Sequence, residues 1–373
     1  MRSVALDLAA KKVVFCEVAD GKVVKRHTAS SVEGMEELLG GQTPPARVAI
    51  EACREAWRIG ALLESWGHEV LLVDTTRVRQ LGIGQHGRKT DRIDAETLAR
   101  AVESGRIPLA HMLSPARQKL RTELGVRRAL VEVRSGYVTT IRGLLREAGE
   151  KAPSCDAEVF GQKLKDATLT PTLRALTEPL RAVLETVSVQ LATVDARIEL
   201  LSKEEPIIQV LKSTPGVGPI VAASFVSVID EAKRFKSAHQ VGAYVGLVPN
   251  EDSSGGRRRL GQITKEGNSY LRAMLVQAAW SILRMREPDP LCVWARSVAE
   301  RRGKKIAVVA LARRLAGILW AMWRDGTFYD AASVGKASAK GIERETEERE
   351  QTKTKVLAAS ASKRSKPAAK RAS

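Results

Sequence analysis

The segment SVALDLAAKKVVFCEVADGKVVKRHT, residues 3–28, decides the fold at the start of this chain. Three short runs, 3–8, 11–18 and 22–28, are rich in valine and are separated by the turn-like breaks AAK and ADG. Short β-branched runs bounded by such breaks are typical of β-strands. The chain therefore begins with three predicted strands.

The pattern then changes to alternating units. Residues 46–52 (ARVAIEA) and 69–74 (EVLLVD) predict two more strands, and helical patterns cover roughly 31–40, 54–66 and 91–104. Three strands followed by alternating helices and strands predict a mixed sheet covered by helices, an α/β fold. This is also the element order of an RNase H-like domain.

Two long helical stretches follow, at 115–150 and 171–212, joined by a segment that contains Pro153 and Gly161. Their apolar residues are spaced alternately by four and three, as in a coiled coil. We expect a helical hairpin or a pairing between subunits. The expected seams are Leu130, Val133, Tyr137, Ile141 and Leu144 in the first stretch, and Leu180, Leu184, Val187, Leu191, Val194, Ile198 and Leu201 in the second.

The domain organisation expected from these patterns has four parts. An RNase H-like domain at 1–110 precedes a coiled-coil-like linker at 115–212. A mostly helical domain at 213–330 follows, and residues 331–373 are rich in Ala, Ser, Lys and Glu. This composition predicts a disordered basic tail that adds unspecific affinity for DNA.

The formal net charge of +18 indicates a polyanionic partner, because phosphate backbones release counterions when cations bind them. An uninterrupted apolar run of about 18 residues is not evident, so no membrane-spanning helix is expected. The start of the chain shows no signal-peptide pattern. These observations favour a cytoplasmic, nucleoid-associated protein. The four cysteines are far apart and predict reduced thiols, not a zinc site.

Four carboxylates are candidates for a metal site. Asp7 and Glu51 lie in or after apolar strand runs, and Asp91 and Asp94 are three apart at a predicted helix start. Each has a simpler explanation as a cap or an ion-pair partner. Together they would repel one another unless a divalent cation neutralised them. Hard oxygen ligands suit Mg²⁺ or Mn²⁺, and two such ions can assist cleavage of a phosphodiester.

The third domain contains two candidate DNA contacts. Gly216 and Gly218 precede an apolar helix at 220–229, and such a turn lets backbone N–H groups approach a phosphate, as in a helix-hairpin-helix element. A tight helix–helix turn is the alternative. Further on, Ser253 and Ser254 precede two glycines and a run of arginines. A serine there contacts phosphate or attacks phosphorus; the residues alone favour contact. The expected phosphate-binding cations are Arg257, Arg258, Arg259 and Lys265.

These motifs together resemble the DEDD transposases of insertion sequences, which are kin to the Piv DNA invertase and include members described as bridge-RNA-guided recombinases. The resemblance covers about residues 3–330. It rests on KTDRIDA at 89–95, PGVG at 215–218, GLVP at 246–249 and Ser254-Gly255. The segment ACREAW after Glu51 departs from the family pattern.

The resemblance implies a RuvC-like domain whose four acids are Asp7, Glu51, Asp91 and Asp94. It also implies a nucleophilic serine at Ser254, a guide RNA, and a homo-dimer or homo-tetramer in which the acids of one subunit work beside the serine of another. The expected activity is cutting and rejoining DNA. Two alternatives are a junction-resolving nuclease that uses water, and a DNA-binding protein with a dead site; the intact acids disfavour the second.

Overall fold

The computed structural model describes residues 1–9, 11–74, 77, 91–251, 260–287 and 289–335. Its chain divides into two compact units, 1–118 and 119–373. The helical hairpin therefore belongs to the same compact unit as the C-terminal helices. The expected four-part division remains a prediction, and its tail lies almost wholly outside the described residues.

A mixed five-stranded sheet forms the centre of the first unit. Its strands are β1 (Arg2–Ala9), β2 (Lys12–Ala19), β3 (Lys22–Ala29), β4 (Ala46–Glu51) and β5 (Glu69–Val73). The spatial order is β3-β2-β1-β4-β5. The first three strands pair antiparallel, whereas β4 runs parallel to β1 and β5 runs parallel to β4. The predicted strands and mixed sheet are confirmed.

Helices cover both faces of this sheet. They are α1 (Glu36–Leu39), preceded by a 3-10 turn, α2 (Ala56–Ser65) and α3 (Asp91–Glu103). Alternate strand residues serve different cores, because successive side chains point to opposite faces. Leu6 and Ile50 pack in the core that includes α2, whereas Ala5 and Ala49 pack in the core that includes α3. The α/β fold class is confirmed.

Two long helices form an antiparallel hairpin within one chain, and all but the first four residues of this hairpin belong to the second unit. These are α4 (Pro115–Glu147) and α6 (Pro171–Lys203). Two cross-links fix their direction: Arg127 pairs with Asp195 at 2.5 Å and Arg197 pairs with Glu123 at 2.8 Å. From the first pair to the second, the residue number falls on α4 and rises on α6, so the two helices run antiparallel. The connection contains a further helix, α5 (Ala157–Lys165), which the sequence did not indicate.

The seam of α6 follows the expected heptads, since Leu184, Val187, Leu191, Val194 and Ile198 are all buried. The expected seam of α4 is confirmed at Ile141, which is fully buried, and is wrong at Val133, which is 44% exposed; Val138 and Leu145 are buried as well. The reason is that arginines occupy two positions of the true heptad, where their stems pack and their heads pair with acids. These are Arg127, paired with Asp195, and Arg134, paired with Glu158.

The remaining helices of the second unit pack around one core. They are α7 (Pro206–Leu211), α8 (Pro219–Ile229), α9 (Ala238–Tyr244), α10 (Ser269–Leu283), α11 (Pro290–Arg302) and α12 (Lys304–Asp325). A two-stranded hairpin, β6 (Pro249–Glu251) and β7 (Leu260–Ile263), projects from them. The expectation of a mostly helical third part is confirmed.

Helix α12 is the centre of that core. Among the described residues it alone is long and apolar enough to cross a membrane, and half of its apolar stretch is buried. Leu311, Leu315 and Leu319 are fully buried, and α12 packs against α9, α10 and α11. Arg313 and Arg314 interrupt the stretch. Its burial by neighbouring helices is that of a core helix, which is consistent with a protein outside the membrane.

Candidate active site

Asp7 and Glu51 lie side by side at one end of the sheet. They directly follow Leu6 and Ile50, which are partners in the parallel pairing of β1 with β4. Since side chains alternate along a strand, both carboxylates point to the face that Ala5 and Ala49 share with α3. Neighbouring strands are separated by about 5 Å, so the two acids are adjacent on that face.

Helix α3 runs antiparallel to β1, which brings its first turn to the same end of the sheet. Near the end of α3, Glu103 accepts hydrogen bonds of 3.2 Å from the backbone N–H of Gly21, in the β2–β3 turn beside the start of β1. At the beginning of α3, Asp91 forms an ion pair of 2.5 Å with Lys12, which lies opposite Ala9 at the end of β1. The start of α3 therefore covers Asp7 and Glu51.

Asp94 and Asp91 lie on the buried side of that first turn. Asp94 is only 5% exposed, and it precedes Ala95 and Leu98, which are part of the core beneath α3. Residues three apart on a helix share a face, so Asp91 points to the same side and is partly exposed. The tertiary structure thus brings all four sequence-predicted acids to one face and one end of the sheet.

Their oxygens are not gathered into a coordination shell. In the described parts of the chain, no group of three or more His, Cys, Asp or Glu side chains is positioned to hold a metal ion. The ammonium of Lys12 supplies the positive charge that Asp91 contacts here. The donor set itself, carboxylate oxygens alone, is of the type that Mg²⁺ and Mn²⁺ prefer. The acids therefore fit a divalent metal in the chemistry of their oxygens, while Lys12 holds Asp91 in an ion pair.

The serine motif belongs to the β6–β7 hairpin. Ser253, Ser254 and Arg257–Arg259 lie between the two strands, outside the described residues, whereas the base of the hairpin lies within them. At this base the backbone N–H of Lys265 donates to the Gly246 carbonyl at 3.1 Å, and that of Thr264 donates to the Val248 carbonyl at 2.9 Å. Lys265 is exposed beside this junction.

Close backbone contacts hold the base of this hairpin in place. The Arg272 guanidinium on α10 donates to the carbonyls of Val245 and Glu266 at 2.9 and 2.8 Å, one on each side of the hairpin. Gly246 has a φ of +71°, and a Cβ there would lie 2.1 Å from the Glu266 carbonyl oxygen. Only glycine allows this approach. The geometry of the base therefore depends on Gly246 and on α10.

The two glycines of the predicted helix-hairpin-helix turn have different surroundings. Gly216 has a φ of +72°, and a Cβ there would lie 2.7 Å from Ile282 Cγ1 on α10. Gly218 is exposed, has a φ of −85°, and a Cβ would meet nothing within 4 Å. The turn between α7 and α8 is therefore packed on one side and open on the other. Gly216 serves packing, and a phosphate contact at either glycine remains a prediction.

Comparison with protein families defines the class of protein to which this fold and these acids belong. Residues 4–149 match a DEDD-type family described as "Transposase", and residues 208–291 match one described as "Transposase IS116/IS110/IS902 family". The first match contains all four acids, and the second contains the glycine turn and the serine hairpin. The class is that of DEDD transposases.

Individual relatives agree with both matches. A Pseudomonas aeruginosa protein named "Probable family 20 transposase" is 31% identical over 297 residues, which cover 77% of this chain and 87% of the relative. The transposase for insertion sequence element IS1111A of Coxiella burnetii is 30% identical over 63% of this chain and 66% of its own length. The transposase for insertion sequence element IS1328 of Yersinia enterocolitica is 27% identical over 85% of this chain and 94% of its own length. This chain belongs to the IS110 family of transposases, which act on DNA.

Sequence reasoning missed two side chains at these places. Lys12 contacts Asp91 only because the β1–β2 turn returns the chain to the end of β1. Arg272 is one arginine among many, and its role at the hairpin base depends on carbonyls that precede it by up to 27 residues. The short turn between the first two predicted strands could have indicated the contact of Lys12 with Asp91, whereas no local signal pointed to the role of Arg272.

Proposed function

We propose that this transposase cuts and rejoins DNA with a metal-binding carboxylate site on an RNase H-like domain and with Ser254 as the nucleophile. The observation that carries the proposal is the shared position of Asp7 and Glu51 beneath the first turn of α3. Asp94, buried in that turn, adds a third carboxylate from a separate element. Three separate elements thus direct acids to one end of one sheet.

The carboxylates would hold Mg²⁺ or Mn²⁺, which neutralises a phosphodiester and the oxygens that enter and leave it. Asp7 and Glu51 offer neighbouring oxygens from the sheet, and Asp94 offers oxygens from the helix. Asp91 would join them once Lys12 releases it. Because the ion pair is partly exposed, breaking it costs little, about 1 kcal/mol or less.

Ser254, in the segment of sequence between β6 and β7, would attack phosphorus. The serine oxygen forms a bond to phosphorus, and the displaced DNA oxygen takes up a proton and leaves as a hydroxyl. A hydroxyl of another DNA end then attacks the same phosphorus, and the serine recovers its proton. The covalent intermediate keeps the phosphoester for rejoining. Arg257, Arg258, Arg259 and Lys265 would bind the phosphate oxygens.

The partners proposed with this reaction rest on the resemblance to the family. They are the DNA ends of the element, its target DNA, a non-coding guide RNA, and further copies of the chain in a dimer or tetramer. The exposed Gly218 and the open side of the α7–α8 turn give backbone N–H groups access to a DNA phosphate.

The test is a search for the covalent adduct. End-labelled cognate DNA is incubated with the protein and Mg²⁺, denatured and resolved on a gel. We expect an adduct in the wild type that Ser254→Ala abolishes and Ser253→Ala retains. Asp94→Asn, which preserves the volume of a buried side chain, should also abolish the adduct while the protein stays folded.

Three results would contradict parts of the proposal. Free cleaved ends without an adduct would favour the junction-resolving nuclease, in which water attacks. An adduct that survives Ser254→Ala but not Ser253→Ala would move the nucleophile by one residue. Full cleavage in EDTA would exclude the divalent metal.

A further inference from the structure

A solvent-open cavity lies at the C-terminal end of α10. Its volume is about 540 Å³, and it is lined by Gln277, Trp280, Ser281, Arg284 and Met285. This volume is within the usual range for small-ligand sites, about 300–1,000 Å³. The lining combines one indole, one guanidinium, one amide, one hydroxyl and one thioether.

The guanidinium of Arg284 lies over the Trp280 ring, 5.3 Å from the ring centroid. Gln277, Ser281 and Arg284 are exposed, while Trp280 is half-buried, so its inner edge is anchored and its outer part faces the cavity. Among the described residues no carboxylate pairs with Arg284. The Trp280 ring and this guanidinium therefore form a flat platform that is open to solvent.

Two other Arg–Trp pairs in this unit show what a purely structural pair looks like. Trp320, under Arg324, is 4% exposed, and its indole nitrogen donates to the Ala232 carbonyl at 2.9 Å. Arg314 lies over Trp294, and burial lowers the pKa of this arginine. In each of these pairs at least one of the two side chains is buried by the protein. The pair formed by Trp280 and Arg284 instead lines a cavity.

The chemistry of this cavity fits an unpaired nucleobase. An indole stacks on the face of any base, and a guanidinium either stacks with it or binds its phosphate. The Gln277 amide and the Ser281 hydroxyl both donate and accept hydrogen bonds, which suits the edge of a base. The net charge of +18 draws a polyanion to the surface.

We propose that the cavity at Trp280 and Arg284 binds an unpaired nucleobase of a single-stranded nucleic acid. The choice of ligand rests on the proposed function, because DNA exchange exposes unpaired bases. The site itself does not depend on Ser254 or on the four acids, so it can be tested without cleavage. Single-stranded DNA and single-stranded RNA share the chemistry that the site reads.

The experiment measures binding of labelled short oligonucleotides to the full chain by fluorescence anisotropy, without divalent metal. The three oligonucleotides are a single-stranded DNA, a single-stranded RNA, and an abasic DNA strand with the same number of phosphates. We expect Trp280→Ala to weaken binding of a base-bearing strand about 5- to 150-fold, the range for removal of one stacked base. Binding of the abasic strand should stay within about two-fold.

Matched variants separate stacking from charge and from folding. Trp280→Phe should restore most of the affinity. Lys305→Ala removes an exposed cation elsewhere in the same unit. It should lower the affinity for all three oligonucleotides by the same factor. If Trp280→Ala does not fold, Gln277→Ala at an exposed position tests the proposed hydrogen bond to the edge of the base. It should lower the affinity for base-bearing strands and not for the abasic strand.

Equal losses of affinity for base-bearing and abasic strands, or no loss in Trp280→Ala, would overturn the proposal. A larger loss with DNA or with RNA supports it and identifies the source of the base. A base preference that persists while no covalent adduct forms would support this site and refute the serine mechanism.

Discussion

Gly216→Ala should destabilise the second unit strongly, whereas Gly218→Ala should not. Both glycines lie in one turn and both were expected to contact phosphate, but only Gly216 has a positive φ, +72°. A side chain in the left-handed region costs about 1–2 kcal/mol. The new Cβ would also lie 2.7 Å from Ile282 Cγ1 and 3.0 Å from the Ala278 carbonyl oxygen.

Ile282 is fully buried, so it cannot swing into solvent to relieve this contact. Inserting a methyl group into a packed interior costs about 1–3 kcal/mol. Together the two effects predict a decrease of about 2–5 kcal/mol in the free energy of unfolding. Gly218 has a φ of −85° and open space around it, but it is the N-cap of α8, where alanine is less favourable than glycine. Its replacement by alanine should therefore change the free energy of unfolding by no more than about 1 kcal/mol.

The assay is denaturant and thermal unfolding of the full chain, followed by tryptophan emission, since four of the six tryptophans belong to the second unit. A decrease near 3 kcal/mol corresponds to a melting temperature lower by about 6–12 °C for a unit of this size. Equal stability of the two variants would refute the packing argument. A decrease confined to DNA affinity, with melting unchanged, would show that Gly216 serves phosphate binding instead.

Three further outcomes are expected. The hydrogen bond from Arg2 holds the pKa of Glu17 below its ordinary value; this stabilisation is present above the unfolded pKa of about 4.3 and is lost as pH falls through the folded value. Glu17→Gln should therefore show a weaker decrease of stability between neutral and acidic pH in urea titrations, and an unchanged pH profile would refute the link. Replacing Arg257–Arg259 with alanine should flatten the log–log salt dependence of duplex DNA binding by about 0.9 for each phosphate that the variant no longer neutralises, as filter binding across a salt series would show; an unchanged slope would exclude a role for these arginines at the phosphates. Deleting 331–373 should weaken unspecific binding in the same assay but spare adduct formation, and disappearance of the adduct would assign the tail a specific role.

Local patterns in the sequence were sufficient for the strands and for most helices. The valine-rich runs at 3–28 became β1 to β3 because strand propensity and short turns act over a few residues. The seam of α6 followed its heptads because leucine and valine occupy nearly every core position. The four carboxylates could be predicted as a metal site because an acid in an apolar strand is unusual and because the segment at 89–95 resembles that of a known family.

The tertiary structure alone decided where those residues meet. The seam of α4 has Arg127 and Arg134 at core positions, and their acid partners lie far along the chain, so an apolar pattern misplaced it. Gly216 packs against Ile282, 66 residues later, and no local rule reveals that contact.

The site shows the same division between local and long-range information. The sequence by itself determined that Asp7, Glu51 and Asp94 would be presented by two strands and a helix. That they share one face and one end required the parallel pairing of β1 with β4 and the antiparallel course of α3. Strand register and helix direction are set by burial of apolar surface across the whole unit, which is a property of the folded chain and not of any short segment.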